Sequence, residues 1–168
     1  MKQNYSLWIA GIFISLGFLF SISCNKSDDS GCNFTKTAKT VKLNSATVNI
    51  SAVQLAVNNT FEGDEYTMVI SVVGDDCNKM SILSLSTVVV TGGKLNRAFP
   101  IKSFADSGLN STYGSLLSQS VNPVSQVSTD LASGTALFED KGNKLYAIKI
   151  DGTVTDGTLF AFSGDVQF

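Results

Sequence analysis

The stretch that decides the fold class is Tyr66-Thr67-Met68-Val69-Ile70-Ser71-Val72-Val73, which is rich in β-branched and aromatic residues. Such residues favour strands, because their side chains pack well on a pleated surface. The segments on either side, Glu62-Gly63-Asp64 and Gly74-Asp75-Asp76, have turn composition. The sequence therefore predicts a strand over 66–73 with a turn at each end.

Similar alternation recurs on both sides of this strand. Apolar residues at every second position predict strands over 41–43, 48–50, 53–57 and Met80–Thr91, with a turn or bulge at Asn44-Ser45. Gly92-Gly93 should end the last of these, and Pro100 should edge or stop a shorter strand over Lys94–Ile101. Residues 103–130 contain many Ser, Gly and Asn residues, so most of this segment is expected to be loop, with a short strand or helical turn possible over 113–117.

The C-terminal third contains the clearest turn signals. Asp140-Lys141-Gly142-Asn143 and Asp156-Gly157 have the composition of tight hairpins. The last strand is predicted to place Phe160, Phe162, Val166 and Phe168 on one face, and Gly164 is interpreted as a bulge. With seven to nine short strands, the prediction is an all-β fold, either an antiparallel β-sandwich or a small β-barrel.

Composition excludes several classes of function. The 168 residues suffice for one ordinary domain, and 43% hydrophobic with 15% charged residues is too apolar for a disordered chain. A net charge of −2 leaves no basic surplus for nucleic acid. The chain has no histidine, which excludes Ser-His-Asp triads, Cys-His nucleophiles and imidazole zinc sites.

The N-terminus has the pattern of a signal peptide. Lys2 precedes an apolar run from Leu7 to Ile22, and Ser23-Cys24 follows. The run is shorter than the roughly 20 residues that a membrane-spanning helix needs. A cleaved signal helix is therefore the preferred interpretation.

Cys24 makes this interpretation more specific. Phe20-Ser21-Ile22-Ser23-Cys24 resembles a bacterial lipobox, although that family more often has Leu where this chain has Ser21. The resemblance implies cleavage before Cys24 and acylation of its thiol and its new amino group. It divides the chain into a lipoprotein signal peptide (1–23), a lipidated tether (24–39) and one all-β domain (40–168). A plain signal peptide that ends beside a cysteine is the alternative.

The tether contains a second motif. Ser27, Asp28 and Asp29 resemble the acidic export tag of surface lipoproteins in Bacteroidota, and an ordinary solvated linker is the alternative. The resemblance implies an outer-membrane protein exposed at the cell surface, and a position facing the periplasm is the alternative. Its expected partner is the membrane itself, bound through acyl chains on Cys24, because several acyl chains together anchor a protein stably.

Cys32 and Cys77 remain after lipidation. In an oxidising envelope compartment, two such cysteines favour one disulfide over a pair of free thiols. It would join the start of the domain to the loop after the 66–73 strand and would stabilise the fold by about 4 kcal/mol.

No catalytic or metal site is predicted. The acidic clusters are interpreted as turn residues rather than as calcium ligands or catalytic carboxylates: Glu62-Gly63-Asp64-Glu65, Asp75-Asp76, and Asp151 with Asp156. Gly-x-Ser-x-Gly, Walker and dinucleotide motifs are absent, and no cofactor is expected.

Three functions remain for the β domain. The preferred one is a non-catalytic binding or accessory module whose ligand, protein or glycan, is unknown. The second is a lipocalin-like carrier, which would need an interior pocket of at least about 300 Å³ lined by Leu, Val and Phe. The third is a membrane-spanning barrel, which the missing aromatic girdles disfavour.

Residues 92–168 also resemble small β lipoproteins of the same phylum. The resemblance rests on three stretches: Phe99-Pro100-Ile101, Ser133-Gly134-Thr135 and the segment from Gly152 to Phe168. That family has no established active site to carry over to this chain.

Overall fold

The computed structural model describes residues 37, 39–61, 63–73 and 78–167, all of which lie within one compact unit spanning Gly31–Phe168. Its strands are β1 (Thr40–Leu43), β2 (Ala46–Asn49), β3 (Ala52–Asn59), β4 (Asp64–Val73), β5 (Lys79–Val89), β6 (Ala98–Lys102), β7 (Ser111–Val121), β8 (Val124–Asp140), β9 (Leu145–Val154) and β10 (Leu159–Gln167). These described ranges contain one 3-10 turn, at Phe104–Asp106, and no α-helix. The predicted all-β class is confirmed.

All ten strands belong to one sheet, in the order β2-β1-β10-β9-β8-β6-β7-β5-β4-β3. The first half of β8 also pairs directly with β7, and its second half pairs with β9 and β6. Neighbouring strands are antiparallel except at one parallel bridge, between Ile101 of β6 and Thr112 of β7. The sheet has one strand more than the largest expected number, because a segment expected to be loop forms β7.

The sheet is strongly bent rather than flat. A flat sheet of ten strands would separate its end strands by roughly 40 Å, because neighbouring strands lie about 4.8 Å apart. The end strands β2 and β3 are nevertheless joined by only Ile50-Ser51, which span at most about 11 Å. The Ile50 amide donates to Lys39 O (3.0 Å) beside β1, and the Ser51 amide donates to Ser71 O (2.8 Å) in β4. The end of β2 and the start of β3 therefore lie close together, so the sheet is strongly bent, although these two edge strands do not pair.

The apolar core lies on the inner face of this curled sheet. Alternating residues of β4 and β5 point inward, and Met68 pairs with Leu85 and Ile70 with Leu83. Three of the positions on β10 that were predicted to face the core are described by the structure: Phe160, Phe162 and Val166. Each is at most 4% exposed, which confirms the prediction at these positions. The Phe99 and Phe138 rings meet edge to face, with their centres 5.8 Å apart. Aromatic rings therefore fill much of the interior.

The expectation of loop over most of residues 103–130 was wrong. This segment forms β7 and the first half of β8. Its inward-facing Leu116 pairs with Leu83, whereas Ser115 and Ser118 lie opposite serines of β5. Gly114 is not a turn glycine, because an added Cβ would lie 1.9 Å from Ser84 O. The glycine is required by the close approach of two strands.

The bulge predicted at Gly164 is also absent. Gly164 pairs with Ile148 in unbroken register, and an added Cβ would lie 3.2 Å from the Phe162 ring. The register shift occurs instead in β8, between Leu131 and Ser133. Pro100 lies inside β6 rather than at its end, opposite Thr135. β6 tolerates this proline because it contacts β7 through one bridge only.

The predicted tight turns are confirmed. Gly142, Asn143 and Gly157 adopt positive φ angles of 83°, 52° and 89° in the hairpins that join β8 to β9 and β9 to β10. Asn44, with φ of 54°, turns the chain between β1 and β2, and its side-chain oxygen accepts a hydrogen bond from the Leu159 amide (2.9 Å). In the part of the chain that the structure describes, no helix is long and apolar enough to cross a bilayer.

Candidate functional site

The residues predicted to carry the lipid, the export tag and the disulfide are Cys24, Ser27, Asp28, Asp29, Cys32 and Cys77, and they lie outside the described residues. Their roles therefore remain predictions. The residue after Cys77 is described: Asn78 donates a side-chain hydrogen bond to Asn122 O (2.9 Å) at the β7–β8 turn.

The acidic residues that are described make structural contacts. Asp64 Oδ2 accepts the Gly92 amide (3.0 Å), and Glu65 Oε1 accepts the Tyr113 hydroxyl (2.7 Å). Asp156 Oδ1 accepts the Thr158 amide (2.8 Å) in the turn after β9, and this bond lowers the pKa of the Asp156 carboxyl. Across the described ranges, no three Cys, Asp or Glu side chains come together as a metal site.

A surface cleft of about 320 Å³ opens where β5 gives way to the segment leading into β6. We call it the Lys94–Arg97 cleft. It is lined by Val89, Val90, Gly93, Lys94, Asn96, Arg97 and Asn110. Its volume is at the lower end of the range typical of small-ligand sites.

Local packing positions the charged side chains of this cleft. Leu95 is 1% exposed and anchors the segment, while its neighbours Lys94 and Asn96 are exposed. The guanidinium carbon of Arg97 lies 5.0 Å from the centre of the Phe99 ring, which is fully buried. Stacking of the cation on this ring restricts the guanidinium to one region of the cleft.

The hydrogen bonds around the cleft determine what it can offer to a ligand. Asn96 Oδ1 accepts the Asp140 amide (2.9 Å), and Asn110 Oδ1 accepts a hydrogen bond from Arg97 Nη2. With both amide oxygens engaged, the groups that these asparagines offer to a ligand are their NH₂ donors. Lys94 and Arg97 add cationic donors, and no carboxylate lines the cleft. This arrangement is chemically suited to an anion.

Two tyrosines and two carboxylates lie at the same end of the sheet as the cleft. Asp64 pairs with Val89, and Asp140 pairs with Tyr146. Burial, and then the charge of Asp64, raise the pKa of Tyr66. Burial, Asp140 and Tyr66 raise the pKa of Tyr146. Two partly buried tyrosines therefore lie near two carboxylates at this end of the sheet, while Lys94 and Arg97 line the cleft beside them.

Sequence reasoning did not single out Lys94, Asn96, Arg97 or Asn110. The available signal was a Lys-x-x-Arg spacing after Gly92-Gly93, which is too common to identify a site. Asn110 joins the cleft only because its amide donates to Val88 O (2.7 Å), which places a distant loop beside the end of β5. No family model, curated protein or solved structure matches this chain, so the cleft is defined by its geometry alone.

Proposed function

We propose that this chain is a lipid-anchored outer-membrane protein, exposed at the cell surface, whose β domain binds an anionic ligand and has no catalytic role. The anchoring half of the proposal is supported by the charged head, the apolar run and Cys24 in the first 24 residues.

The observation that carries the binding half is the set of donors in the Lys94–Arg97 cleft. Lys94, Arg97 and two asparagines whose side-chain oxygens are already engaged line one open volume. Carboxylate, phosphate and sulfate groups are the anions that such donors bind, and Arg97 could engage two of their oxygens at once. Anionic glycans and acidic peptides present such groups at a cell surface.

A carrier of an apolar ligand receives less support. That function would need an interior pocket lined by Leu, Val and Phe. The core positions are instead packed with large side chains that are less than 2% exposed, among them Phe99, Phe162, Ile50 and Ile150. The cleft lies at the surface and is bordered by polar groups.

Lipid attachment can be tested by labelling cells with a clickable fatty acid. We expect wild-type protein and Cys32→Ala to be labelled and Cys24→Ala to remain unlabelled, because only the residue at the cleavage site receives the acyl chains. Retention of label by Cys24→Ala would refute acylation at this position.

Anion binding can be tested by NMR titration of the protein with inorganic phosphate and with acetate. We expect shifts in the amides of residues 93–97 and 110. Arg97→Gln should weaken binding by about 10- to 100-fold, the equivalent of one charged hydrogen bond. Lys141→Gln is the matched control, since Lys141 is a cation paired with Glu139 (2.7 Å) outside the cleft. Equal affinities in these two variants would exclude the cleft as the binding site.

A further inference from the structure

The first half of β8 is paired on one side only. Residues 131–140 of this strand pair with β9, and Ser133–Leu137 also pair with β6. Residues 124–130 pair with β7 alone. In the described part of the chain, no strand lies along the other side of residues 124–129. We call these six residues the open edge.

One hydrogen bond shows which backbone groups the open edge presents. Asp130 O accepts the Thr155 amide (2.9 Å), so the backbone polar groups of Asp130 point away from β7. Because these groups alternate in direction along a strand, those of Ser128, Gln126 and Val124 point the same way. The N–H and C=O groups of these three residues therefore face outward from the sheet.

The open edge lacks the features that protect most edge strands. Natural edges carry lysines, inward-pointing charges, prolines or bulges that prevent pairing with another chain. Here the sequence from Ser107 to Thr129 contains no charged residue, and the only proline in that stretch, Pro123, precedes the open edge. Val124 is 88% exposed and Val127 is 60% exposed. The edge is accessible from both faces and from its side.

We propose that the open edges of two copies of this chain pair with each other, antiparallel, about a two-fold axis at Gln126. The three residues with outward-facing groups are symmetric about Gln126, as a two-fold contact requires. In this register Gln126 pairs with the second copy's Gln126, and Val124 pairs with the second copy's Ser128. Each of the three resulting pairs can exchange two backbone hydrogen bonds.

The side chains favour the same occupant. Gln119 Nε2 donates to Gln126 Oε1 (3.1 Å) across the β7–β8 ladder, so the Gln126 NH₂ group is the donor directed to a neighbour. Two copies would then form a row of four glutamines across four strands. No like charges would meet along residues 124–129, since all of them are neutral. A strand of another protein would need its own neutral edge, which nothing in this chain specifies.

The contact is small, which sets the expected affinity. Six residues per strand bury well under the 1,200–2,000 Å² of standard interfaces, so the dimer belongs to the weak, transient class. Anchoring to one membrane would raise the local concentration and favour pairing. Only this increase in local concentration depends on the proposed lipid anchor; the pairing of the two edges does not.

Sedimentation velocity on the full processed chain in a mild detergent tests the proposal. We expect wild-type dimer to increase with concentration. Gln126→Lys should weaken the association at least 10-fold, because two ammonium groups would meet on the axis. Thr135→Lys is the matched control, an exposed position of β8 that is paired on both sides with Pro100 and Asp151, and it should dimerise like wild type. Circular dichroism confirms that each variant is folded.

Disulfide trapping tests the register. In the Gln126→Cys variant, a disulfide should join residue 126 of one copy to residue 126 of the second copy, and non-reducing mass spectrometry identifies the linked peptides. Gln119→Cys, which lies on β7, one strand further from the edge, should not form such a disulfide. A wild-type monomer at the highest attainable concentration, equal dimerisation of the Gln126→Lys variant, or equal trapping at position 119 would each overturn the proposal. The same measurements on the Cys24→Ala variant keep this result separate from the question of lipid attachment.

Discussion

Two buried hydroxyls show how a Ser/Thr-rich sheet keeps polar groups inside its core. Thr87 and Thr112 are 1% and 0% exposed, and their Oγ1 atoms lie 2.8 Å apart between β5 and β7. One of these hydroxyls donates a hydrogen bond to the other. Removing one hydroxyl leaves the other buried without this hydrogen bond, and the loss of stability is set by that remaining hydroxyl.

We expect Thr87→Val to lower the free energy of unfolding by about 1–3 kcal/mol, because the Thr112 hydroxyl would be buried without its partner. Thr112→Val should do the same. The double variant should lose much less than the sum, since both polar groups are then gone. Urea denaturation of the four proteins measures the coupling. A coupling free energy near zero would mean that each hydroxyl has another partner.

The tyrosines at the cleft end of the sheet predict a loss of stability at alkaline pH. Burial, and then Asp64, raise the pKa of Tyr66 in the folded state, so the unfolded chain releases this proton first. The contribution to stability is complete below the ordinary tyrosine pKa of about 10 and is lost as the pH rises through the folded value. The pKa of Tyr146 is also raised, so its ionisation likewise lowers the stability of the fold at alkaline pH.

We expect Asp64→Asn to lower the pKa of Tyr66 only in part, because burial is the larger cause and remains. Titration of ¹³Cζ-labelled tyrosines by NMR measures this shift, and Asp106→Asn, in the exposed 3-10 turn, is the control. A Tyr66 pKa that does not respond to Asp64→Asn would show that this carboxylate does not act on the phenol.

At the level of elements, β8 and β9 come unusually close where two glycines pair. Gly134 lies opposite Gly152, and an added Cβ on Gly134 would be 2.2 Å from Asp151 O and 2.6 Å from Gly152 Cα. Its φ of 141° is also one that other residues rarely adopt. The Phe160 ring lies against Gly152, so this close approach also makes room for a core ring.

We expect Gly134→Ala to destabilise the protein by about 3 kcal/mol or more, because backbone atoms of β9 would have to move. Gly142→Ala, in the β8–β9 turn, is the matched control. Its φ of 83° is strained for alanine, but no atom lies within 4 Å of an added Cβ. We therefore expect this substitution to lower the free energy of unfolding by about 1–2 kcal/mol. Denaturant unfolding compares the two. Equal losses would mean that the strands can separate at no cost.

The same elements show what the sequence could predict. The turns at Asn44, Gly142 and Gly157 were predictable, because positive φ is a local demand that few residue types meet. Gly114 and Gly134 look the same in sequence, but the close approach of another strand determines their role. The Ser, Gly and Asn content of the segment 103–130 predicts loop, whereas the segment forms β7 and the first half of β8. The cleft could not be predicted, since Arg97 and Asn110 lie outside the strands and are brought together only by the folded structure.

At the scale of the whole molecule, the junction Ile50-Ser51 links the two edge strands of the sheet, β2 and β3. Ile50 is fully buried. Its amide donates a hydrogen bond to Lys39 O beside β1, and the amide of Ser51 donates to Ser71 O in β4. Its side chain belongs to the same core as the strands of both ends, including Val41 of β1 and Ile70 of β4. Opening this junction would expose the two end strands at once, so the domain should unfold as one cooperative unit.

We expect Ile50→Ala to cost about 2–5 kcal/mol, as for other large aliphatic residues in a core. Val57→Ala, on β3 but 47% exposed, is the control and should cost less than about 1 kcal/mol. Far-ultraviolet circular dichroism and tyrosine fluorescence should give one coincident transition in each protein. Separate transitions in Ile50→Ala alone would show that the ends can detach while the rest stays folded. A cost no larger than that of Val57→Ala would show that the burial of Ile50 at this junction contributes little to the stability of the fold.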